Sequence, residues 1–208
     1  MSTAIGWTGA GRAGAAAVLL GTGLCWAAAA IIGPAWSQPE SPHWAAAHPT
    51  RAGLALTFDI LSIPFLIGTM LVWLLLARPG APRLAWSGAA LLTGAAAGQG
   101  IVEGVELAGY LIAQSDRIDP LAYSDVLGSG SGLPMVVFEV LFMGGASLGL
   151  LLMMIALWRS RAVPRVACAL LVVLQAAEFL GPPLPYVLGT GAVLSWMAAS
   201  VLRRPVTT

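Results

Sequence analysis

Six long apolar segments decide what this 208-residue chain can fold into. Hydrophobic residues make up 58% of the chain and charged residues 9%, against about 25% charged residues in ordinary soluble domains. A segment of about 20 apolar residues can cross a bilayer, and its backbone groups must then hydrogen-bond within the segment, as they do in a helix. The pattern therefore predicts an all-α, polytopic membrane helix bundle. Its transmembrane helices are expected at about 13–34, 53–77, 85–113, 134–158, 164–181 and 184–202.

Residues 1–208 are expected to form a single transmembrane domain, without a soluble appendage. The fifth apolar segment is short, and Gly181-Pro182-Pro183 ends it, so the last two helices are expected to form a tight hairpin. Neither Cys25 nor Cys168 belongs to a Cys-x-x-Cys pair. Both are interpreted as small side chains buried between helices.

Arginine placement predicts the orientation of the bundle. Two arginines, Arg51 and Arg117, fall on one side of the membrane, and the other eight fall on the opposite side. These eight are Arg12, Arg78, Arg83, Arg159, Arg161, Arg165, Arg203 and Arg204. Because cytoplasmic loops carry the excess of basic residues, we expect a multi-pass protein of the cell membrane with both termini in the cytoplasm. The net charge of +1 gives no reason to expect a nucleic-acid partner.

Five carboxylates lie inside the apolar segments, which contain no Lys or His, and Arg165 lies at the opposite end of its segment from Glu178. The five carboxylates are Asp59, Glu103, Glu106, Glu139 and Glu178. In a threaded chain all five fall at nearly one depth, toward the non-cytoplasmic face. An ionisable side chain in the bilayer costs ~2.5–3.5 kcal/mol on insertion scales, so each acid marks a candidate functional site. Crowded carboxylates away from water cannot all be ionised, which leaves some as proton donors beside a carboxylate base.

The third segment carries polar residues on one helix face. Gln99, Glu103, Glu106 and Tyr110 follow one another at steps of four, three and four residues. In a membrane this face must point into the bundle. We therefore expect an acid-lined, aromatic-walled pocket in the outer half of the bundle, with the five acids as its catalytic residues. Its expected substrate-binding residues are Gln99, Tyr110, Phe138, Phe142, Gln175 and Phe179.

Three of the acids also allow a purely structural interpretation. Glu178 lies near the end of its segment and could meet water or headgroups, and Asp59 could cap a helix that is kinked at Pro64. Glu139 lies one turn into its segment, where a helix N-terminus favours negative charge. Glu103 and Glu106 lie in mid-segment, so the functional hypothesis depends mainly on them.

The sequence predicts neither a metal ion nor a cofactor. A di-metal carboxylate bundle needs Glu-x-x-His pairs and haem needs an axial ligand, but the two histidines, His43 and His48, lie in an outer loop at 35–51. No phosphate loop or dinucleotide fingerprint is present either. The chemistry that remains is proton transfer by the acids.

The segment 158–165, Trp-Arg-Ser-Arg-Ala-Val-Pro-Arg, resembles a recurrent inner loop of a family of small bacterial membrane proteins without an assigned function. That resemblance implies a six-helix bundle with an acid in the third span, which matches Glu103 or Glu106. The expected pocket chemistry is also similar to that of the integral membrane terpene cyclases. These helical bundles use intramembrane carboxylic acids to protonate an alkene or epoxide. This second similarity implies no residue assignment.

Three functions fit these features. The first is a cofactor-independent membrane cyclase or isomerase that acts on a lipophilic, isoprenoid-like substrate. The second is a proton-coupled carrier, and the third is a non-catalytic subunit that binds a lipid or a cation. A membrane lipid or lipophilic small molecule is the expected partner. Three Gly-x-x-x-Gly motifs, which start at Gly94, Gly100 and Gly145, favour close packing within one bundle and also permit a homo-oligomer.

Overall fold

The computed structural model describes residues 8–33, 41–115, 119, 122–123, 137–138, 140–178 and 183–203. Of these residues, 91% are helical. The seven α-helices in this part of the chain are α1 (Gly9–Ile32), α2 (Ser41–Ala47), α3 (Pro49–Ala77), α4 (Pro82–Ala113), α5 (Gly145–Ser160), α6 (Arg165–Glu178) and α7 (Pro183–Leu202). A π-helix, Val140–Gly144, leads directly into α5.

Every predicted transmembrane segment contains one of these helices, so the all-α prediction is confirmed. Four helices in the described ranges are long and apolar enough to cross a membrane. They are Gly9–Ile32, Pro49–Ala77, Phe142–Ser160 and Leu184–Leu202. The α4 helix has 32 residues, but its many Gly and Ala residues dilute its hydropathy. The α6 helix has 14 residues, about 21 Å of helix, which is shorter than a ~30 Å hydrocarbon core.

Local sequence signals explain where several helices begin and end. Thr8 caps α1, because its hydroxyl accepts a hydrogen bond from the Gly11 amide at 3.1 Å. Pro49 and Pro82 lie in the first turns of α3 and α4, where a missing N–H costs nothing and the fixed φ suits a helix. At the end of α5, Arg161 adopts a left-handed conformation with a φ of 53°, which stops the helix.

Six helices form a closed ring, in which each one packs against the next in the order α1, α3, α4, α5, α6, α7 and then α1 again. We call the end at which α3 ends and α4 begins the arginine end, and the opposite end the acid end. The hydrophobic core fills the arginine end, where Met153, Leu157 and Met197 are completely buried. The arginine end of the bundle is therefore filled by the apolar core, and the polar groups lie toward the acid end.

Glycines allow the helix backbones to approach closely at two contacts. A Cβ atom on Gly23 of α1 would lie 2.9 Å from the Gly191 Cα of α7, and one on Gly88 of α4 would lie 2.9 Å from the Met153 amide nitrogen of α5. Both distances are shorter than real Cβ contacts, so no side chain fits there. Such close approach maximises van der Waals contact between helices in a membrane.

The predicted Gly-x-x-x-Gly motifs differ in their surroundings. Gly145 and Gly149 of α5 pack against the α4 backbone, as expected for packing within the bundle, and Gly98 lies against the Phe142 ring. Gly94, Gly100 and Gly104 instead face open space, with no described atom within 4 Å of an added Cβ. Spacing alone therefore did not distinguish the glycines that pack from those that do not.

The segment predicted as an outer loop contains the short helix α2. The Gln114 amide at the end of α4 donates a hydrogen bond to the Ala45 carbonyl at 3.1 Å, and this bond fixes α2 over the acid end. The Trp44 ring stacks on the His48 ring with 4.9 Å between centroids. The guanidinium of Arg51 lies 5.5 Å from the centroid of the same Trp44 ring.

Replacement of Gly88 by alanine is expected to lower the free energy of unfolding by about 1–3 kcal/mol relative to Gly94→Ala. Both glycines lie in α4, so the gain in helix propensity is shared, but only the Gly88 methyl would meet the α5 backbone. Thermal unfolding of the two variants in the same detergent measures the difference. Equal stabilities would contradict the close packing of α4 on α5.

Candidate functional site

Three carboxylates from two neighbouring helices meet near the acid end. Asp59 lies ten residues after the first residue of α3, and Glu103 lies ten residues before the last residue of α4. The two helices are joined by a short turn and run antiparallel, so the two acids lie level. Glu106 follows Glu103 by almost one turn, and one carboxylate oxygen from each of the three acids lies within 4.8 Å of the others. We call this group the carboxylate cluster.

Glu103 is the most deeply buried member of the carboxylate cluster, with 4% of its surface exposed. The Gln99 amide, one turn earlier in α4, donates a hydrogen bond to Glu103 Oε1 at 2.5 Å. Its other oxygen, Oε2, is buried and has no hydrogen-bond partner among the described residues. Asp59 and Glu106 are half-buried. A buried oxygen without a donor is costly, so this side of the cluster is incomplete.

Polar contacts hold α3 in place beside the cluster. The Ser62 hydroxyl donates to the Asp59 carbonyl at 2.7 Å and accepts the Trp26 indole N–H of α1 at 3.1 Å. The basic residue of α3, Arg51, lies two turns away toward the acid end. Its guanidinium donates to the Ile32 carbonyl at 3.0 Å and covers the Trp44 ring. Arg51 is therefore bound to other groups and does not neutralise the cluster.

A cavity of about 270 Å³ lies inside the ring of helices. Its walls are mainly apolar and include the aromatic rings of Trp26, Trp73, Phe142 and Tyr186. Ligand pockets in proteins usually have volumes of about 300–1,000 Å³, so this cavity is slightly smaller than that range. It suits part of a lipophilic molecule, such as a branched hydrocarbon chain.

A carboxyl group lines the cavity. Glu178, the last residue of α6, accepts a hydrogen bond from the Gln175 amide of the same helix. The Tyr186 hydroxyl of α7 lies near the Glu178 carboxyl group. Gln175, Glu178, Tyr186 and Gln99 all line the cavity. The mainly apolar lining therefore includes an acid, a phenol and two amides.

Two threonines and a tryptophan line the part of the cavity nearer the arginine end. The hydroxyls of Thr22 and Thr69 hydrogen-bond to each other at 3.0 Å, so these two groups are paired. Trp73 is 5% exposed, and its indole N–H is buried without an acceptor in the part of the chain that the structure describes. An acceptor on a bound molecule would complete it.

The acids predicted from the sequence divide into two groups. Asp59, Glu103 and Glu106 form the carboxylate cluster, and Glu178 lines the cavity. Gln99 links the two sites, because it lines the cavity and donates to Glu103. Glu139 lies outside the described residues, so its predicted role stays a prediction.

The other predicted site residues are also spread over more than one place. Gln99, Gln175 and Phe142 line the cavity, and the Phe138 ring stacks on Phe142 with 5.8 Å between centroids. Tyr110 instead borders a surface groove between the outer ends of α3 and α4, where its hydroxyl donates to the Pro49 carbonyl at 3.4 Å. Phe179 lies outside the described residues.

Sequence reasoning missed Tyr186, Trp26 and Trp73 as site residues. Each has an apolar body and a polar tip, and such a side chain usually finds a hydrogen-bond partner when it is buried. This property was a usable signal, since all three lie in or beside long apolar segments. Which partner each one meets depends on the order of helices in the ring, and the sequence does not give that order.

The chain matches no protein-family model, no curated protein and no solved structure at a significant level. The predicted resemblances to a small membrane-protein family and to membrane terpene cyclases therefore stay predictions. Function must be argued from the geometry of the site itself.

Replacement of Gln99 by methionine is expected to lower the free energy of unfolding by about 1–3 kcal/mol, because both oxygens of buried Glu103 would then lack a donor. The same change in a Glu103→Met background should cost much less, since no acceptor remains there. Thermal unfolding of the four proteins in detergent gives the interaction energy as a double-mutant cycle. If Gln99→Met costs the same in both backgrounds, the hydrogen bond does not stabilise the site.

Proposed function

We propose that the chain crosses the membrane six times, with both termini on the cytoplasmic side. The closed ring supports this topology, because α4 and α6 occupy places in it equivalent to those of the four long apolar helices. Arg78, Arg83, Arg159 and Arg165 lie at helix ends on the arginine end of the ring. Such an excess of basic residues is typical of the cytoplasmic side.

The orientation predicts how introduced cysteines react in intact cells. A cysteine at Ser115, beyond the end of α4, is expected to react with a membrane-impermeant maleimide, whereas one at the exposed Pro79, between α3 and α4, is not. The unmodified chain is the control, because Cys25 and Cys168 are both buried. The reverse pattern would show the opposite orientation, and labelling at both positions would contradict the six-span topology.

We propose further that the protein binds a lipophilic, isoprenoid-like molecule in the cavity and isomerises or cyclises it by proton transfer at Glu178. One observation carries this proposal: an apolar, aromatic-walled cavity has a carboxyl group, Glu178, in its lining. Aromatic faces are electron-rich and stabilise a developing positive charge. A carboxyl group is a competent proton donor where it meets the reacting atom directly.

The reaction needs no consumed cofactor. The Glu178 carboxyl group donates its proton to one carbon of an alkene, and the positive charge forms on the neighbouring carbon. In isomerisation the resulting carboxylate, which accepts a hydrogen bond from the Gln175 amide and lies near the Tyr186 hydroxyl, removes a proton from an adjacent carbon, so the double bond moves. In cyclisation a second double bond of the substrate first attacks the cation and forms the new carbon–carbon bond. Loss of a proton beside the new cationic carbon to the carboxylate then returns Glu178 to its starting state.

One observation favours Glu178 over the carboxylate cluster as the proton donor. A second observation favours catalysis over transport. Among the described residues that line the cavity, Glu178 is the carboxyl group, whereas Asp59, Glu103 and Glu106 lie outside the lining. In the part of the chain that the structure describes, tightly packed apolar side chains fill the arginine end of the bundle, which disfavours a polar route from the cavity to that side. A carrier would need such a route.

Deuterium incorporation tests the chemistry. Purified protein is incubated with a bacterial isoprenoid extract in D₂O, and the lipids are analysed by mass spectrometry. The unmodified protein is expected to increase the mass of one lipid by one unit or more, because the Glu178 proton exchanges with solvent. Glu178→Gln should still retain this lipid during purification but should not label it. If the unmodified protein retains the lipid but does not label it with deuterium, the protein binds the lipid without transferring a proton to it.

Two neighbouring alanines of α4 provide a control for the location of the ligand. Ala96 lines the cavity and is buried, whereas Ala97 faces outward. Ala96→Phe is expected to fill the cavity and reduce the retained lipid at least tenfold, and Ala97→Phe should retain it. Size-exclusion elution confirms that both variants are folded. Equal retention by the two would show that the lipid lies on the outer surface of the bundle.

A further inference from the structure

The carboxylate cluster concentrates negative charge, and within the described ranges the basic residues of its two helices do not offset that charge. Asp59, Glu103 and Glu106 bring one oxygen each to within 4.8 Å of one another. Their helices contain two arginines, of which Arg51 is bound to Ile32 and Trp44, and Arg83 lies at the arginine end of α4. Three such groups near one another in a bilayer need a positive charge or protons.

A second observation points to a missing ligand at this place. Glu103 is 96% buried, since 4% of its surface is exposed, and its Oε2 atom has no hydrogen-bond donor in the described part of the chain. The Gln99 amide already satisfies Oε1 and holds the carboxylate in a fixed orientation. A cation between the three acids would bind the Oε2 atom of Glu103. It would also offset the negative charge of Asp59 and Glu106.

We propose that Asp59, Glu103 and Glu106 form a binding site for one hard divalent cation of the size of Ca²⁺. Carboxylate oxygens are the ligands that such cations prefer, and an all-oxygen site needs no histidine. The prediction that no metal ion binds was based on the lack of His ligands in the helices. It therefore does not apply to a site made only of oxygen ligands. Three carboxylates supply up to six of the six to eight oxygens that Ca²⁺ takes, and water supplies the rest.

The number of carboxylates favours Ca²⁺ over Mg²⁺. The three oxygens lie within 4.8 Å of one another, close enough for a shared Ca²⁺, because two oxygens on opposite sides of that ion lie about 4.6–5.2 Å apart. Mg²⁺ keeps several of its waters and is usually bound by one or two carboxylates, so a site with three carboxylates suits Ca²⁺ better.

The carboxylate cluster is partly open to its surroundings. Asp59 and Glu106 are half-buried, whereas Glu103 is buried, so a cation would meet Asp59 and Glu106 on the open side and Glu103 on the inner side.

Calorimetric titration of the purified full-length chain with CaCl₂, after treatment with EDTA, tests the proposal. We expect saturable binding of one Ca²⁺ per chain and weaker binding of MgCl₂. Glu103→Gln and Glu106→Gln should each weaken Ca²⁺ binding at least tenfold. Asp119→Asn is the control, because it removes an exposed carboxylate outside the cluster and should bind Ca²⁺ as the unmodified protein does.

Glu106→Gln keeps the experiment decisive if Glu103→Gln does not fold, since Glu106 is half-buried and an amide of the same size fits there. Ca²⁺ should also raise the melting temperature of the unmodified chain but not that of Glu106→Gln. Absence of saturable Ca²⁺ binding, equal affinity in Glu106→Gln, or preference for Mg²⁺ would overturn the proposal. Each of these results would leave the proposed role of Glu178 unaffected, because Glu178 is not part of the cluster.

Discussion

The absence of water in a bilayer is the constraint on which this structure depends. Backbone N–H and C=O groups must bond within their own segments, so each apolar segment becomes a helix before any packing is considered. Association of these helices cannot depend on the hydrophobic effect, because lipid is as apolar as they are. The close contacts at Gly23 with Gly191 and at Gly88 with Met153 supply van der Waals contact instead and hold the ring closed.

The same constraint makes the few polar side chains informative. Most of those in the ring are paired, as Thr22 is with Thr69 and Trp26 is with Ser62. Oε2 of Glu103 and the indole N–H of Trp73 are buried without such a partner among the described residues. The first belongs to the carboxylate cluster and the second to a wall of the cavity. Each marks a place that a bound cation or molecule would complete.

The carboxylate cluster and the cavity are separate but are linked by one residue. Gln99 donates to Glu103 on one side and lines the cavity on the other, so its orientation depends on both sites. Glu178 lies beside Gln175 and Tyr186, which belong to the last two helices. The proposed cation site therefore lies on α3 and α4, and the proposed proton transfer lies on α6 and α7.

The sequence by itself determined the all-α architecture and the position of most helices. Hydropathy located most helix ends to within about four residues, with the exception of the fourth segment, predicted from 134, where α5 begins at Gly145. Only the tertiary structure decided that Glu178 lines a cavity near Tyr186, while Asp59, Glu103 and Glu106 meet elsewhere. The physical reason is that the neighbours of a helix in the ring depend on the fit between surfaces that lie far apart in the chain. The polar stripe of α4 predicted its inward face, but the small residues around it give no pattern that shows which helices α4 meets.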